Sequence, residues 1–197
     1  MTFLRRRVGL MRLGLAGAMA VLMVGCKKER VDPTKAPFEE FAKRVDQYAA
    51  LRNKLADSVG PLDPTWSQAQ ITERATKLAD AIRTARAGAK QGDIFTTEAA
   101  TIIATLIKTE YDRRPPATLN ARGDAQRELP DFVPEVNQLY PTTYPLATFP
   151  ATLLPLLPRL PKEVEYRIVS KFLILRDIEA NVIIDIMPHA VPQEKLQ

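Results

Sequence analysis

The chain holds one histidine and one cysteine, so few side chains are candidates for chemistry. His189 lies between Pro188 and Ala190, and no second His or Cys accompanies it to complete a zinc-type site. A Ser–His–acid arrangement would have to recruit Ser58, Ser67 or Ser170. Two of these read as helix-end residues and the third as a turn residue, and no G-x-S-x-G elbow is present. Three acids fall together near the C-terminus: Asp177, Glu179 and Asp185, with Asn181 among them. Paired carboxylates serve glycoside hydrolysis, and they also serve as oxygen ligands for a hard cation. The run Asp177-Ile178-Glu179 lacks the glycine and the acid density of an EF-hand loop. Asp185 interrupts the apolar runs Val182–Ile184 and Ile186–Met187, and strict alternation puts it on a face with Ile183 and Met187. The plainer reading makes it solvent-facing, or ion-paired with Arg167 or Arg176. These four residues are weak catalytic candidates, and no metal ligand set or cofactor motif stands beside them.

Two further groups are candidates for contact with a partner. Pro155, Pro158 and Pro161 recur every third residue in LLPLLPRLP, the period of a polyproline II helix. Such a helix is a ligand for an aromatic groove. Its plainer use is packing that delivers the chain to the next element, because the Leu pairs want burial. Tyr140 and Tyr144, with Pro141 and Pro145, are candidates for stacking on a cell-wall glycan. There is no Gly-rich phosphate loop, no dinucleotide fingerprint and no C-x-x-C.

The lone cysteine has a different context. Arg5, Arg6, Arg7 and Arg12 precede an apolar run from Leu13 to Met23, the pattern of a secretory signal. That run is shorter than the roughly 20 residues a membrane-spanning helix needs. Met23-Val24-Gly25-Cys26 resembles the lipobox of bacterial lipoproteins, with Met23 where Leu is usual. The resemblance implies cleavage after Gly25 and a diacylglycerol on the Cys26 thiol. Acyl burial contributes about 0.8 kcal/mol per CH₂, enough for two or three chains to anchor a protein. Lys27 follows Cys26, so the Asp that some bacteria read there as an inner-membrane signal is absent, which leaves the outer membrane open in a source that has one.

Removal of the leader changes the charge argument. The net charge of +5 includes four leader arginines and no leader acid, so the remainder is close to neutral. A nucleic-acid partner therefore loses its electrostatic basis. Lys27, Lys28 and Arg30 remain beside the anchor, within reach of anionic headgroups. With Cys26 acylated no thiol is left for a disulfide, a nucleophile or a metal.

The expected organisation is a signal at 1–25, a lipid-proximal tether at 26–33, a helical region at 34–114, a Pro-rich wrapping segment at 115–161, a β-meander at 162–191 and a tail at 192–197. The first helix follows Pro37, with the stripe Phe38, Phe41, Val45, Tyr48, Leu51, Leu55 and Val59, and stops at Gly60-Pro61. Glu39 and Glu40 fall at its positive end. The second starts at a capping box, Ser67 with Gln70, and carries Ile71, Ala75, Leu78, Ile82, Ala85 and Ala89 before ending at Gln91-Gly92. Glu73, Arg74, Lys77, Asp80, Arg83 and Arg86 decorate its solvated sides. The third is capped by Thr96, buries Ile102, Ile103, Leu106, Ile107 and Tyr111, and ends at Pro115-Pro116. A short connection predicts that the second and third helices pack antiparallel.

Ten of the sixteen prolines fall between 115 and 161, which rules out a continuous helix or central strand there. The apolar residues among them predict an ordered, extended wrap, with a short helical turn near 151–154 and a polar stretch at 116–129. Beyond it, period-2 and β-branched runs predict three antiparallel strands. If Ser170-Lys171 is the first turn, Glu165 faces Arg176. A one-residue slip would oppose Glu165 to Asp177, which is unfavourable. Ser-Lys is not a favoured two-residue turn.

The segment EYRIVSKFLILRDIEANVIIDIMPHAVP is similar to the C-terminal part of a group of uncharacterised bacterial lipoproteins sharing an EYRxV…LILRDxxANxIxD pattern behind a Pro-rich stretch, and QGDIFTTE is similar to them also. The resemblance spans about half the chain after Cys26 and implies no activity. The sequence therefore predicts an α+β lipoprotein of the cell envelope. It is held to a membrane by lipid on Cys26 and acts as a non-catalytic interaction or scaffolding protein with an envelope protein partner. The alternatives are a carboxylate-dependent hydrolase of cell-wall material and a small-ligand or metal-binding lipoprotein.

Overall fold

The computed structural model describes residues 32–63, 65–113, 132–145 and 149–191. The signal, Cys26, the polar stretch 116–129 and the tail lie outside the described residues. Three helices precede a small antiparallel sheet, the α+β order the sequence predicts.

Helix α1 spans Lys35–Val59. It starts two residues before Pro37, which the first turn tolerates because those N–H groups have no helical partner. Glu39 and Glu40 therefore lie one turn in, where Lys35 and Arg44 pair with them. The buried residues are Phe41, Val45, Tyr48, Ala49, Arg52 and Ala56. The stripe thus swings off Leu51 and Leu55 and takes an arginine into the interior.

Helix α2 spans Gln68–Ala85 and opens on the reciprocal Ser67–Gln70 capping box. Its buried face is Arg74, Leu78, Ala79 and Ile82, while Ile71 is exposed. The expected solvated position of Arg74 is corrected, and so is the helix end. Asn137 donates to the carbonyls of Arg83 and Arg86 at 2.8 and 3.1 Å, closing the helix before Gln91. Helix α3 spans Thr97–Asp112 and is capped by Thr96. Both α2 and α3 pack on α1 rather than chiefly on each other, unlike the antiparallel pair expected.

Strands β1 (Val164–Val169), β2 (Phe172–Asp177) and β3 (Ile183–Met187) form an antiparallel sheet in sequence order. The first register is the one charge predicts, with Glu165 opposite Arg176 across a Ser170-Lys171 turn. Ser170 reaches it with φ +51°. The β2–β3 pairing shifts at Leu175/Arg176, and the bulge leaves Asp185 opposite Leu175 while Ile183 faces Arg176. Asp185 therefore shares a face with Met187 but not with Ile183.

Both sheet faces are covered. Toward the helices, Tyr166, Ile168, Leu173, Leu175 and Met187 join Phe41, Leu78, Ile103 and Ile107 in the main core. The other face packs Val169, Phe172, Ile174, Ile183 and Ile186 against Tyr140 and Tyr144. The segment carrying these tyrosines also pairs with the sheet. Asn137 and Tyr140 donate to the carbonyls of Ile183 and Asn181, both at 2.8 Å, and Leu139 bridges Val182. No helix among the described residues is long and apolar enough to cross a membrane.

Candidate functional site

Asp177 ends β2 with no solvent exposure. Its Oδ2 accepts from Tyr48 Oη at 2.8 Å and Arg52 Nε at 3.3 Å, and its Oδ1 accepts from the Ala180 N–H at 2.8 Å. Two residues on, Glu179 forms ion pairs with both Arg52 and Arg74. Arg74 in turn donates Nε to the Gly60 carbonyl at 2.9 Å. One cluster of Tyr48, Arg52, Arg74, Asp177 and Glu179 thus ties α1, α2 and the β2–β3 loop together. Burial, then the charge of Asp177 and the bond to it, push the Tyr48 phenol well above its ordinary range. The phenol donates to this carboxylate and so ties α1 to the end of β2.

Beside this cluster a cleft of about 440 Å³ is lined by Arg52, Asp57, Gly60, Arg74, Lys162 and Glu163. The Asp177 carboxylate does not line it. Glu179, with its side chain 32 % exposed, is the one acid of the trio that reaches solvent.

Asp185 is also fully buried, contrary to the solvent-facing or Arg167/Arg176-paired reading. Its Oδ1 accepts from the N–H groups of Gly92 at 2.9 Å and Ile186 at 2.8 Å. Its Oδ2 accepts from those of Ile94 and Phe95, both at 2.7 Å. The α2–α3 connection is wrapped around this carboxylate, and Gly92 makes the turn with φ +87°. Burial pushes the Asp185 carboxyl upward, against the downward pull of the four N–H bonds. Arg86 lies near, donating to the Ile184 carbonyl at 2.9 Å and sitting 5.2 Å over the Tyr48 ring. Burial depresses its pKa, with the Tyr48, Asp185 and Asp93 charges acting the other way.

The other candidates are placed apart. His189 is exposed in the turn after β3, with φ +54°. Tyr140 and Tyr144 are 3 % and 7 % exposed, their rings 6.1 Å apart against Phe132, so neither offers a face for a sugar. The Tyr140 hydroxyl donates to the Pro145 carbonyl at 2.9 Å. Pro155, Pro158 and Pro161 do not form one polyproline helix. A 3-10 turn at Leu154–Leu156 takes the first, the second lies in irregular chain, and the third opens the turn before β1, where its carbonyl accepts from the Val164 N–H at 3.0 Å. Leu153 and Leu157 are buried and want an abrupt local bend, which a uniform three-residue period cannot supply. Among the described residues no group of three or more His, Cys, Asp or Glu is arranged to hold a metal ion.

Arg52 and Arg74 are the residues sequence reasoning missed. Their signal was positional: Arg52 lies one turn from Tyr48, and Arg74 one turn from Leu78, each on the apolar stripe. No family model matches the chain, and comparison with curated proteins and with solved structures found no match.

Proposed function

We propose that this chain is a lipid-anchored protein of the bacterial cell envelope that works by interaction or scaffolding rather than by catalysis. The observation that carries the reading is the state of its acids. Asp177 and Asp185 have no solvent exposure, and every oxygen of theirs already accepts hydrogen bonds from this chain. A hydrolase of wall glycans needs two carboxyls converging on substrate. Of Asp177, Glu179 and Asp185 only Glu179 meets solvent, and two arginines hold it. The lipobox resemblance at Cys26 supports the anchor and the extracytoplasmic side.

In-cell crosslinking of a tagged copy, followed by detergent extraction and mass spectrometry, tests this. The expected result is one dominant envelope protein whose capture is lost in Cys26→Ala. Hydrolysis of wall fragments by the purified protein, abolished by Glu179→Gln, is the result that would sink it.

A further inference from the structure

We propose that the 3-10 knuckle Leu154–Leu156 is a second membrane contact, dipping into the bilayer that holds the lipid on Cys26. The inference rests on the anchor proposed above and adds a surface to it. Leu154 and Leu156 are 51 % and 48 % exposed, with Pro155 exposed between them, although Leu153 and Leu157 on either side are 0 % and 6 % exposed. The buried pair fixes the knuckle to the core and turns the exposed pair outward.

An unpaired N–H is costly in an apolar medium, and the backbone from Pro155 to Leu157 leaves none. Pro155 has no N–H, and the N–H groups of Leu156 and Leu157 donate within the turn to Leu153 and Leu154 at 3.0 and 3.4 Å.

Contacts place the knuckle near the anchored end of the domain. Phe149 before it and Pro158 after it both touch Tyr166, by a ring contact of 5.5 Å and a hydrogen bond of 3.0 Å. The Tyr166 ring stacks 6.3 Å from Phe41. Phe41 lies six residues after Lys35, about 9 Å along α1. From Asp32 back to Cys26 the chain spans at most about 21 Å. The bilayer at Cys26 is therefore within reach of this end. Exposed Arg159 follows the knuckle in sequence, a positive charge that suits anionic headgroups, and Lys27, Lys28 and Arg30 follow Cys26 in sequence.

The test uses the lipidated full chain, whose Cys26 thiol is consumed by the acyl group. Leu156→Cys then supplies one reactive thiol for an environment-sensitive fluorophore, and Asp80→Cys on the exposed side of α2 is the control. Each is reconstituted into vesicles of phosphatidylethanolamine and phosphatidylglycerol with brominated acyl chains. The expected result is a blue shift and strong quenching at 156, neither at 80, and loss of the quenching when Leu154→Asp is added. Equal, weak quenching at 156 and 80 on vesicle-bound, acylated protein overturns the knuckle contact and leaves the anchor standing. If the fluorophore labels Cys26 of the parent chain, the anchor fails and this inference falls with it.

Discussion

Asp185 is an acid whose surroundings are all donors. Two N–H groups converge on each oxygen, so Asp185→Asn must turn an amide NH₂ toward two of them. The expected cost is about 2–6 kcal/mol, since each of the two orphaned buried donors costs about 1–3. Urea unfolding of the variant would measure it, and an unchanged midpoint would mean the loop 92–95 is held otherwise. The sequence showed that an acid breaks an apolar run here. It could not show why, because all four donors belong to the backbone, where residue type leaves no trace, and three of them lie some 90 residues away. Arg52 and Arg74 were hidden for a related reason. Arginine on a helix reads as solvated, and only the fold brings Asp177 and Glu179 to meet it.

At the scale of elements, the hairpin was legible because two physical constraints agreed: alternation set the face, and the Glu165–Arg176 pair set the register. Burial acts to raise the Glu165 carboxyl, but bonds from Arg167 and Arg176 and their charge outweigh it and hold it below its usual range. Because the folded value lies below the unfolded one, Glu165 stabilises the fold above the unfolded value, and that stability is lost as pH falls through the folded one. Wild type should therefore lose stability more steeply than Glu165→Gln between about pH 5 and pH 3. Parallel slopes in thermal melts across that range would contradict the pairing. The turn itself is strained: Ser170 has a positive φ, where a side chain is unfavourable and glycine is not. Relief of the left-handed strain is worth about 1–2 kcal/mol and the freer unfolded chain of glycine takes back about 0.4–1 kcal/mol, so Ser170→Gly should raise the melting temperature slightly. The bulge at Leu175/Arg176 was not legible, because alternation assumes an unbroken ladder. Nor was the end of α2, which a residue of the Pro-rich segment imposes from outside.

For the whole molecule, the described part of the Pro-rich segment, 132–145 and 149–161, is a structural layer. Phe132, Tyr140 and Tyr144 close one face of the sheet, and Phe149, Leu153 and Leu157 join the core on the other. Its apolar content made that order legible. The exposure of Leu154 and Leu156 was not, since a pair of leucines in sequence reads as two buried residues. Asp177 and Asp185 are spent inside the domain, and Leu154 and Leu156 are among its exposed large apolar side chains. Both are features that the proposed envelope role would use.

Everything in that account depends on the acylation of Cys26. Cells expressing the wild-type chain or Cys26→Ala would be fed an alkyne-bearing fatty acid, and the purified proteins probed for label. The account predicts label on the wild type and none on the variant. An unlabelled wild type, or label that survives Cys26→Ala, would contradict it.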